Sequence, residues 1–191
     1  MPAQVILASA SPRRKELLEQ IRVRYRVNPV NIDETPLLNE SPETYVRRLA
    51  AEKSAACLAQ CGKSLPVLGA DTAVVLGGMI MGKPKDQADA MAMLQQLSGQ
   101  THQVFTALSL RGRQHWQALT VTEVTFRALT ASEIAAYWQT GEPVDKAGSY
   151  AIQGLGGIFV ESIRGSFSGV VGLPLFETAE LLAKQGIEFF K

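Results

Sequence analysis

Three cations lie at the start of the first predicted helix, where the sequence reads Arg13-Arg14-Lys15 directly after Ser11 and a proline. The positive end of a helix dipole favours acids, so each misplaced cation costs about 0.3 to 1 kcal/mol. A bound polyanion would reverse this sign by pairing with the guanidinium groups and the free backbone N–H groups. Ser9, Ser11 and the turn amides would complete a phosphate-binding cradle. The alternative is that the side chains extend into solvent, and the triplet taken alone favours this alternative.

A carboxylate at Asp71 is flanked by the apolar runs 67–70 and 74–76 and therefore lies in a strand, where an isolated charge is costly. Such a group needs a metal, a lysine or an N–H donor as a partner. A metal would also let the carboxylate position or deprotonate a water molecule.

Two further charged positions have simpler alternatives. Asp33-Glu34 is an acidic pair in a loop, and a solvated turn is the better explanation of the pair alone. Lys53 follows Glu52 on a predicted helix, where an exposed helical ion pair is the simpler interpretation.

Residues 77–83 match G-x-x-x-x-G-K, but Pro84 stands where a P-loop needs Ser or Thr for Mg²⁺. Residues 79–81 also resemble a strand more than a phosphate-wrapping loop, so we reject a P-loop. Lys83 remains a candidate point-charge ligand for phosphate, with an ordinary surface lysine as the alternative.

The uncharged segment 147–157 contains four glycines, which suits backbone lying close to a ligand or to another strand. Within it, Gln153 offers both a donor and an acceptor, as the edge of a uracil or thymine requires. A tight structural loop is an equally good explanation of this segment.

Strands and helices interleave along the chain, and hairpins also occur, which predicts one α/β domain over residues 1–191 with a mixed sheet. Strands are predicted at residues 5–8, 23–27, 67–76, 79–81, 101–111, 115–126, 158–163 and 167–171. Helices are predicted to begin near Ser11, Ser41, Asp86, Thr130 and Pro174.

Composition narrows the class of protein. The 191 residues are 46% hydrophobic and 19% charged, as in a globular domain. The net charge of +1 provides no overall positive potential that would attract nucleic acid or an anionic membrane. No apolar stretch reaches the roughly 20 residues of a membrane helix, and no signal peptide is recognisable. Cys57 and Cys61 lie far from the two histidines, so a zinc site is not expected. We expect a soluble, cytoplasmic protein without nucleic-acid or membrane partners.

Taken together, the motifs resemble those of the Maf family of nucleoside triphosphate pyrophosphatases. The opening Ser9-Ala10-Ser11-Pro12-Arg13-Arg14 is similar to the family's S-x-S-P-R-R signature. The other matching motifs follow in the family's order: Asp33-Glu34, Ala51-Glu52-Lys53, Gly69-Ala70-Asp71-Thr72, Gly82-Lys83-Pro84, Gly148, Gly154 to Gly157, and Val171-Gly172-Leu173-Pro174.

The resemblance implies hydrolysis of the α–β phosphoanhydride of a nucleoside triphosphate to the monophosphate and pyrophosphate. It implies Asp71 as proton acceptor, with Glu34, Lys53 and Lys83 as the other catalytic residues. It further implies that Ser9, Arg13 and Arg14 bind phosphate, and that Asp71 and Glu34 hold a divalent cation, Mg²⁺ or Mn²⁺. Cations would neutralise the triphosphate while the carboxylates orient water.

The base is expected to depend on Arg13, Thr72 and Gln153, a combination similar to that of the family members acting on dTTP and UTP. Modified pyrimidine triphosphates are a possible extension of this substrate range. One alternative is the same reaction on a nucleotide with another base, such as 7-methyl-GTP. The resemblance implies Trp, Gln and Glu at the positions of Arg13, Thr72 and Gln153 in family members that act on that nucleotide. A second alternative is a nucleotide-binding regulator of cell division with little catalysis. The resemblance also implies an elongated fold similar to that of the inosine triphosphatases, with a cleft between two lobes, and a homodimer.

Overall fold

The computed structural model describes residues 2–62 and 64–189, and these form one mixed sheet of seven strands with six α-helices. The strands are β1 (Val5–Leu7), β2 (Tyr25–Val27), β3 (Val67–Leu76), β4 (Met79–Met81), β5 (Thr101–Arg111), β6 (His115–Phe126) and β7 (Val160–Arg164). Their order is β2-β1-β3-β5-β6-β7, with β4 also paired to β3. The pairs β1–β2 and β1–β3 are parallel, whereas the other pairs are antiparallel. The predicted single α/β domain with a mixed sheet is confirmed.

The helices begin where the sequence offers caps. They are α1 (Pro12–Gln20), α2 (Pro42–Cys61), α3 (Gln87–Leu97), α4 (Ala131–Gln139), α5 (Phe167–Val171) and α6 (Leu175–Lys184). Ser41, Asp86 and Thr130 each accept a hydrogen bond from a backbone N–H of the first turn, and Thr130 forms the predicted capping box with Glu133. None of the described helices has the length and apolarity needed to cross a membrane.

One edge of β3 is interrupted. On one side β3 pairs with β5 without a break from Val67 to Val75. On the other side β1 pairs only with residues 67 and 68, and β4 only with residues 74–76. Residues 69–73 therefore have no neighbouring strand on that side, and a gap opens in the sheet next to Asp71.

The two faces of β3 contact different helices because successive side chains of a strand point to opposite sides. Ala73 and Val75 are buried in a cluster with Ala50 of α2, whereas Leu68 and Ala70 lie in a cluster with residues of α1 and α6. Helix α2 thus covers one face of the strand, and α1 and α6 cover the other.

Helix α2 approaches β3 closely at Gly69. A Cβ atom at this position would lie 2.5 Å from the carbonyl oxygen of Ala50 and 2.9 Å from the amide nitrogen of Ser54. Only a residue without a side chain allows this contact. Asp71, two residues further along, points to the same face and hence toward α2.

The predicted strand at residues 167–171 is wrong, because this segment is helix α5. Its aromatic and β-branched residues suit a strand, but Ser166 accepts a hydrogen bond from the Gly169 amide at 3.0 Å and caps a helical turn. The strand predicted at 158–163 begins only at Val160, after a 3₁₀ turn spanning Leu155–Phe159.

Candidate active site

A cavity of about 820 Å³ adjoins Asp71 and Thr72 beside the interrupted edge of β3. All nine residues predicted for the site line this one cavity, although they come from six separate segments of the chain. They are Ser9, Arg13, Arg14, Glu34, Lys53, Asp71, Thr72, Lys83 and Gln153. Lys15, the third cation of the basic triplet, does not line it.

The centre of the cavity is an ion triad in which Lys53 joins two carboxylates. The Lys53 Nζ lies 2.7 Å from Asp71 Oδ1 and 2.6 Å from Glu34 Oε1. Asp71 is 6% exposed and Lys53 is 9% exposed. The exposed helical pair considered for Lys53 is therefore wrong. Glu34 lies in an exposed loop, as predicted, but its carboxylate is paired with Lys53. Its neighbour Asp33 does form the solvated turn, because its side chain accepts the Thr35 amide at 2.9 Å.

The two carboxyl groups of the triad differ in their electrostatics. Burial raises the pKa of Asp71 above its ordinary value, although the charges of Lys53 and Arg14 oppose the rise. Burial also disfavours ionisation of Glu34. The hydrogen bond and charge of Lys53, with help from Lys83 and Arg14, outweigh this effect and bring the pKa of Glu34 below its ordinary value. Glu34 is thus held as a carboxylate, while Asp71 is the more readily protonated member.

Helix α2 also fixes the loop that carries Glu34. The Tyr45 hydroxyl donates to the Glu34 carbonyl oxygen at 2.9 Å. Arg48 donates to the Thr35 carbonyl oxygen at 3.2 Å and forms an ion pair with Glu40 at 2.6 Å. Tyr45 itself lines the cavity, a position that the sequence did not indicate.

Arg14 connects the first loop to β3 and to the C-terminal part of the chain. It donates to the Gly172 carbonyl oxygen at 2.9 Å, to Ser9 Oγ at 3.1 Å and to Thr72 Oγ1 at 3.4 Å. Ser9 Oγ also accepts the Ser11 amide at 3.2 Å, which leaves the proton of its own hydroxyl available to a ligand. Ser11 does not cap α1 with its side chain, so the first amides of this helix are not occupied by a cap.

Four cations of the cavity form no ion pair within residues 2–62 and 64–189: Arg13, Arg14, Lys83 and Lys146. Burial lowers the pKa of Lys146, and the neighbouring charges of Arg13 and Lys83 lower it further. Mutual repulsion of this kind is relieved by a bound polyanion. Lys146 is a further cavity residue, and its only signal in the sequence is a charge directly before the glycine-rich segment.

Gln153 lies at the rim of the cavity and is exposed. Its side chain makes no hydrogen bond with the described residues, so both its amide donor and its carbonyl acceptor are free to bind a ligand.

The donor set near Asp71 suits a cation that also binds the ligand. No group of three or more His, Cys, Asp or Glu residues in the described part of the chain could hold a metal by itself. Mg²⁺ is commonly bound by one or two carboxylates together with phosphate oxygens and water rather than by an all-protein cage. Asp71 and Glu34, each with one oxygen not engaged by Lys53, fit this kind of site.

Comparison with known proteins identifies the family of this chain. The chain belongs to the Maf-like protein family, whose profile matches residues 4–185. It is 53% identical over 185 residues to a dTTP/UTP pyrophosphatase of Methylococcus capsulatus, and this alignment covers 96% of this chain and 92% of the relative. It is 56% identical over 178 residues to a dTTP/UTP pyrophosphatase of Escherichia coli, with 93% and 90% covered. Among solved structures, the Staphylococcus aureus Ham1 protein aligns with a TM-score of 0.47 at 17% identity, over 64% of this chain and 71% of that one.

Proposed function

We propose that this protein hydrolyses the α–β phosphoanhydride of dTTP and UTP, releasing the nucleoside monophosphate and pyrophosphate. The observation that carries the proposal is a single cavity that holds both the Glu34–Lys53–Asp71 triad and a set of cations without ion-pair partners. The two relatives named dTTP/UTP pyrophosphatases, at 53% and 56% identity over nearly the whole chain, support the same substrates. Modified pyrimidine triphosphates are a further proposed substrate class.

In the proposed mechanism, the charged tail of the substrate binds to Arg13, Lys83 and Lys146 and to the free amides at the start of α1. The oxygen of a water molecule bonds to the α-phosphorus while the bond from this phosphorus to the bridging oxygen breaks. The water proton passes to Asp71, and pyrophosphate leaves with the bridging oxygen. The raised pKa of Asp71 makes this carboxylate a better proton acceptor than an ordinary aspartate.

Asp71 and Glu34 would hold the divalent cation, Mg²⁺ or Mn²⁺, that we propose as cofactor. When bound, such a cation withdraws charge from phosphate oxygens and lowers the pKa of a coordinated water molecule. Lys53 contacts both carboxylates and fixes their positions. We expect EDTA to abolish pyrophosphate release and added Mg²⁺ or Mn²⁺ to restore it. Full turnover in EDTA would contradict the cofactor assignment.

Base recognition is assigned to Gln153 with Thr72 and Arg13. A neutral amide pairs with the imide edge of uracil or thymine through one donor and one acceptor, whereas a carboxylate would suit a guanine edge or a cationic methylated base. We therefore expect higher kcat/KM for dTTP and UTP than for CTP and 7-methyl-GTP.

A substrate panel in which every product is identified tests the function. We expect dTTP and UTP to yield pyrophosphate, and Asp71→Asn to lose activity by at least about 100-fold because its amide cannot accept the proton. Asp33→Asn is the matched control, because Asp33 lies outside the cavity and an asparagine can still accept the Thr35 amide. Orthophosphate as the only product would refute the proposed bond cleavage. Nucleotide binding without turnover would favour the regulator of cell division instead.

We further propose that the protein acts in the cytoplasm as a homodimer, without nucleic-acid or membrane partners. The near-neutral net charge of +1 supports the absence of nucleic-acid binding, and the family resemblance supports the dimer. Light scattering that gives the mass of one chain would contradict the dimer.

A further inference from the structure

The side chain of Glu142 accepts three hydrogen bonds just beyond the end of α4. Its Oε1 accepts the Tyr137 hydroxyl at 2.6 Å and the Gly156 amide at 2.9 Å, and its Oε2 accepts the Leu155 amide at 2.9 Å. Both oxygens of the carboxylate are therefore engaged, two of the three donors being backbone groups two and three residues beyond Gln153. Glu142 does not line the cavity, and the proposed mechanism gives it no part.

The Tyr137 hydroxyl holds the same segment on the other side of Gln153. While donating to Glu142, it accepts the Ala151 amide at 3.1 Å. Tyr137 is 5% exposed and also lies outside the cavity. Tyr137 and Glu142 together form a unit, here called the clamp, that binds the backbone at residue 151 and at residues 155 and 156.

Contact between the clamp and this segment is close at Gly154, the residue directly after Gln153. A Cβ atom at Gly154 would collide with the Glu142 carboxylate. Just before the segment, the Tyr150 hydroxyl lies 2.8 Å from His102 Nε2 in the core. The backbone around Gln153 is thus fixed on both sides, while the Gln153 side chain forms no hydrogen bond with any residue that the structure describes.

We propose that the clamp of Tyr137 and Glu142 positions Gln153 and thereby sets the preference for a uracil or thymine base. The inference rests on the proposed function, because it takes Gln153 to face the base. A bidentate contact of this kind discriminates between bases by about 10- to 100-fold, and an error of about 1 Å in its placement is enough to lose most of that factor. Tyr137 and Glu142 are positioning residues, since they act on the base through the segment that they hold. The charge of Glu142 also acts on Lys146, but that effect is shared by the two analogues used below and cancels in their ratio.

Calorimetric titration with two analogues that cannot be cleaved, α,β-imido-dUTP and α,β-imido-dCTP, tests the clamp. The analogues share sugar and phosphates and differ only at the base edge, so the ratio of their dissociation constants isolates base recognition. We expect the wild-type protein to prefer the dUTP analogue. Glu142→Gln, which places an NH₂ group against N–H or O–H donors, is expected to reduce this preference about tenfold. Tyr137→Phe, which keeps the carboxylate, is expected to reduce it in the same direction and serves if Glu142→Gln does not fold.

A double-mutant cycle shows whether Glu142 acts through Gln153. We expect Gln153→Ala alone to remove the preference, and the added Glu142→Gln to change it no further. The matched control is Glu123→Gln, on β6. The Glu123 carboxylate accepts two N–H groups of Arg164 at 3.0 and 2.6 Å, forms no hydrogen bond or ion pair with residues 151–156 and does not line the cavity. This control is expected to lower the melting temperature and leave the ratio unchanged.

The inference is overturned if Glu142→Gln and Tyr137→Phe weaken both analogues by the same factor, or if Glu142→Gln still changes the ratio when Gln153 is alanine. Equal binding of the two analogues by the wild-type protein also overturns it. Because these titrations need no hydrolysis, they are independent of the pyrophosphate assay that tests the proposed function. A protein that prefers the dUTP analogue through the clamp but releases no pyrophosphate would refute only the proposed reaction.

Discussion

Lys53→Met is the substitution that tests the triad most directly. The Lys53 Nζ is 2.7 Å from Asp71 and 2.6 Å from Glu34, and both Lys53 and Asp71 are buried. Two unit charges 4 Å apart attract by about 4 kcal/mol at an effective dielectric constant of 20, and the distances here are shorter. Without Lys53, Asp71 and Glu34 lose the contact that fixes their relative positions. If about 3 kcal/mol of this attraction is lost from the transition state, kcat/KM for dTTP at pH 7 falls by about 100-fold, which is the decrease we expect.

The pH profile gives the sign of the effect. Asp71 accepts a proton only when ionised, and its pKa already lies above the ordinary value because of burial, with Lys53 opposing the rise. Methionine at position 53 removes that opposition, so the pKa of Asp71 rises further. The acid limb of kcat/KM should therefore move to higher pH. The kcat/KM of the variant should still increase with pH in a range where the kcat/KM of the wild-type enzyme is already constant.

Pyrophosphate release measured from pH 5 to pH 10 is the assay for this prediction. Lys146→Met is the control, because Lys146 lines the cavity but is not among the groups that perturb the pKa of Asp71 or Glu34. It should lower activity without moving the acid limb. An acid limb of Lys53→Met at the wild-type pH, or an equal movement in both variants, would show that Lys53 does not tune Asp71.

Two further predictions concern the cation cluster and the contact of α2 with β3. Lys146→Met should raise KM for dTTP and weaken inhibition by pyrophosphate about tenfold, because one charge of the polyanion site is lost. Lys15→Met, in the same basic triplet but outside the cavity, should leave both unchanged, and equal inhibition constants in the two variants would exclude a phosphate contact for Lys146. Gly69→Ala should lower the free energy of unfolding by about 1 to 3 kcal/mol, since its Cβ would lie 2.5 Å from the Ala50 carbonyl oxygen. Denaturant unfolding at the wild-type midpoint would contradict this reading of the contact.

Much of the architecture follows from local signals in the sequence. The capping box at Thr130 and the caps at Ser41 and Asp86 lie where they were predicted, because a cap depends only on residues within one turn. Helix α5 was mistaken for a strand. Its Phe and Val residues favour extended backbone, whereas Ser166 and the packing of Gly169 against Thr120 decide for a helix.

The contacts of the candidate site cannot be predicted from local sequence patterns. From the residues alone, Lys53 is best explained as an exposed ion pair and Glu34 as a solvated turn, because their partners are distant in the sequence. Lys53 and Asp71 are 18 residues apart and meet only when α2 lies against β3. The roles of Lys53 and Glu34 in the site were instead predicted from the resemblance to the Maf family, in which the motifs occur in the same order. Lys146 was predicted neither from the residue pattern nor from the resemblance, because its place in the cavity depends on neighbours more than 60 residues earlier in the chain.

The proposed hydrolytic centre and the proposed base-contacting segment are held by different kinds of structure. Asp71 belongs to a strand whose far side pairs with β5 along nine consecutive residues, so its backbone has little freedom to drift. Gln153 belongs to a short connection that is tied to α4 through side chains. Under the proposed assignment, substitutions in that connection would change the preferred nucleobase while Asp71 keeps its position, which would give such a scaffold a simple route to diversify its substrates.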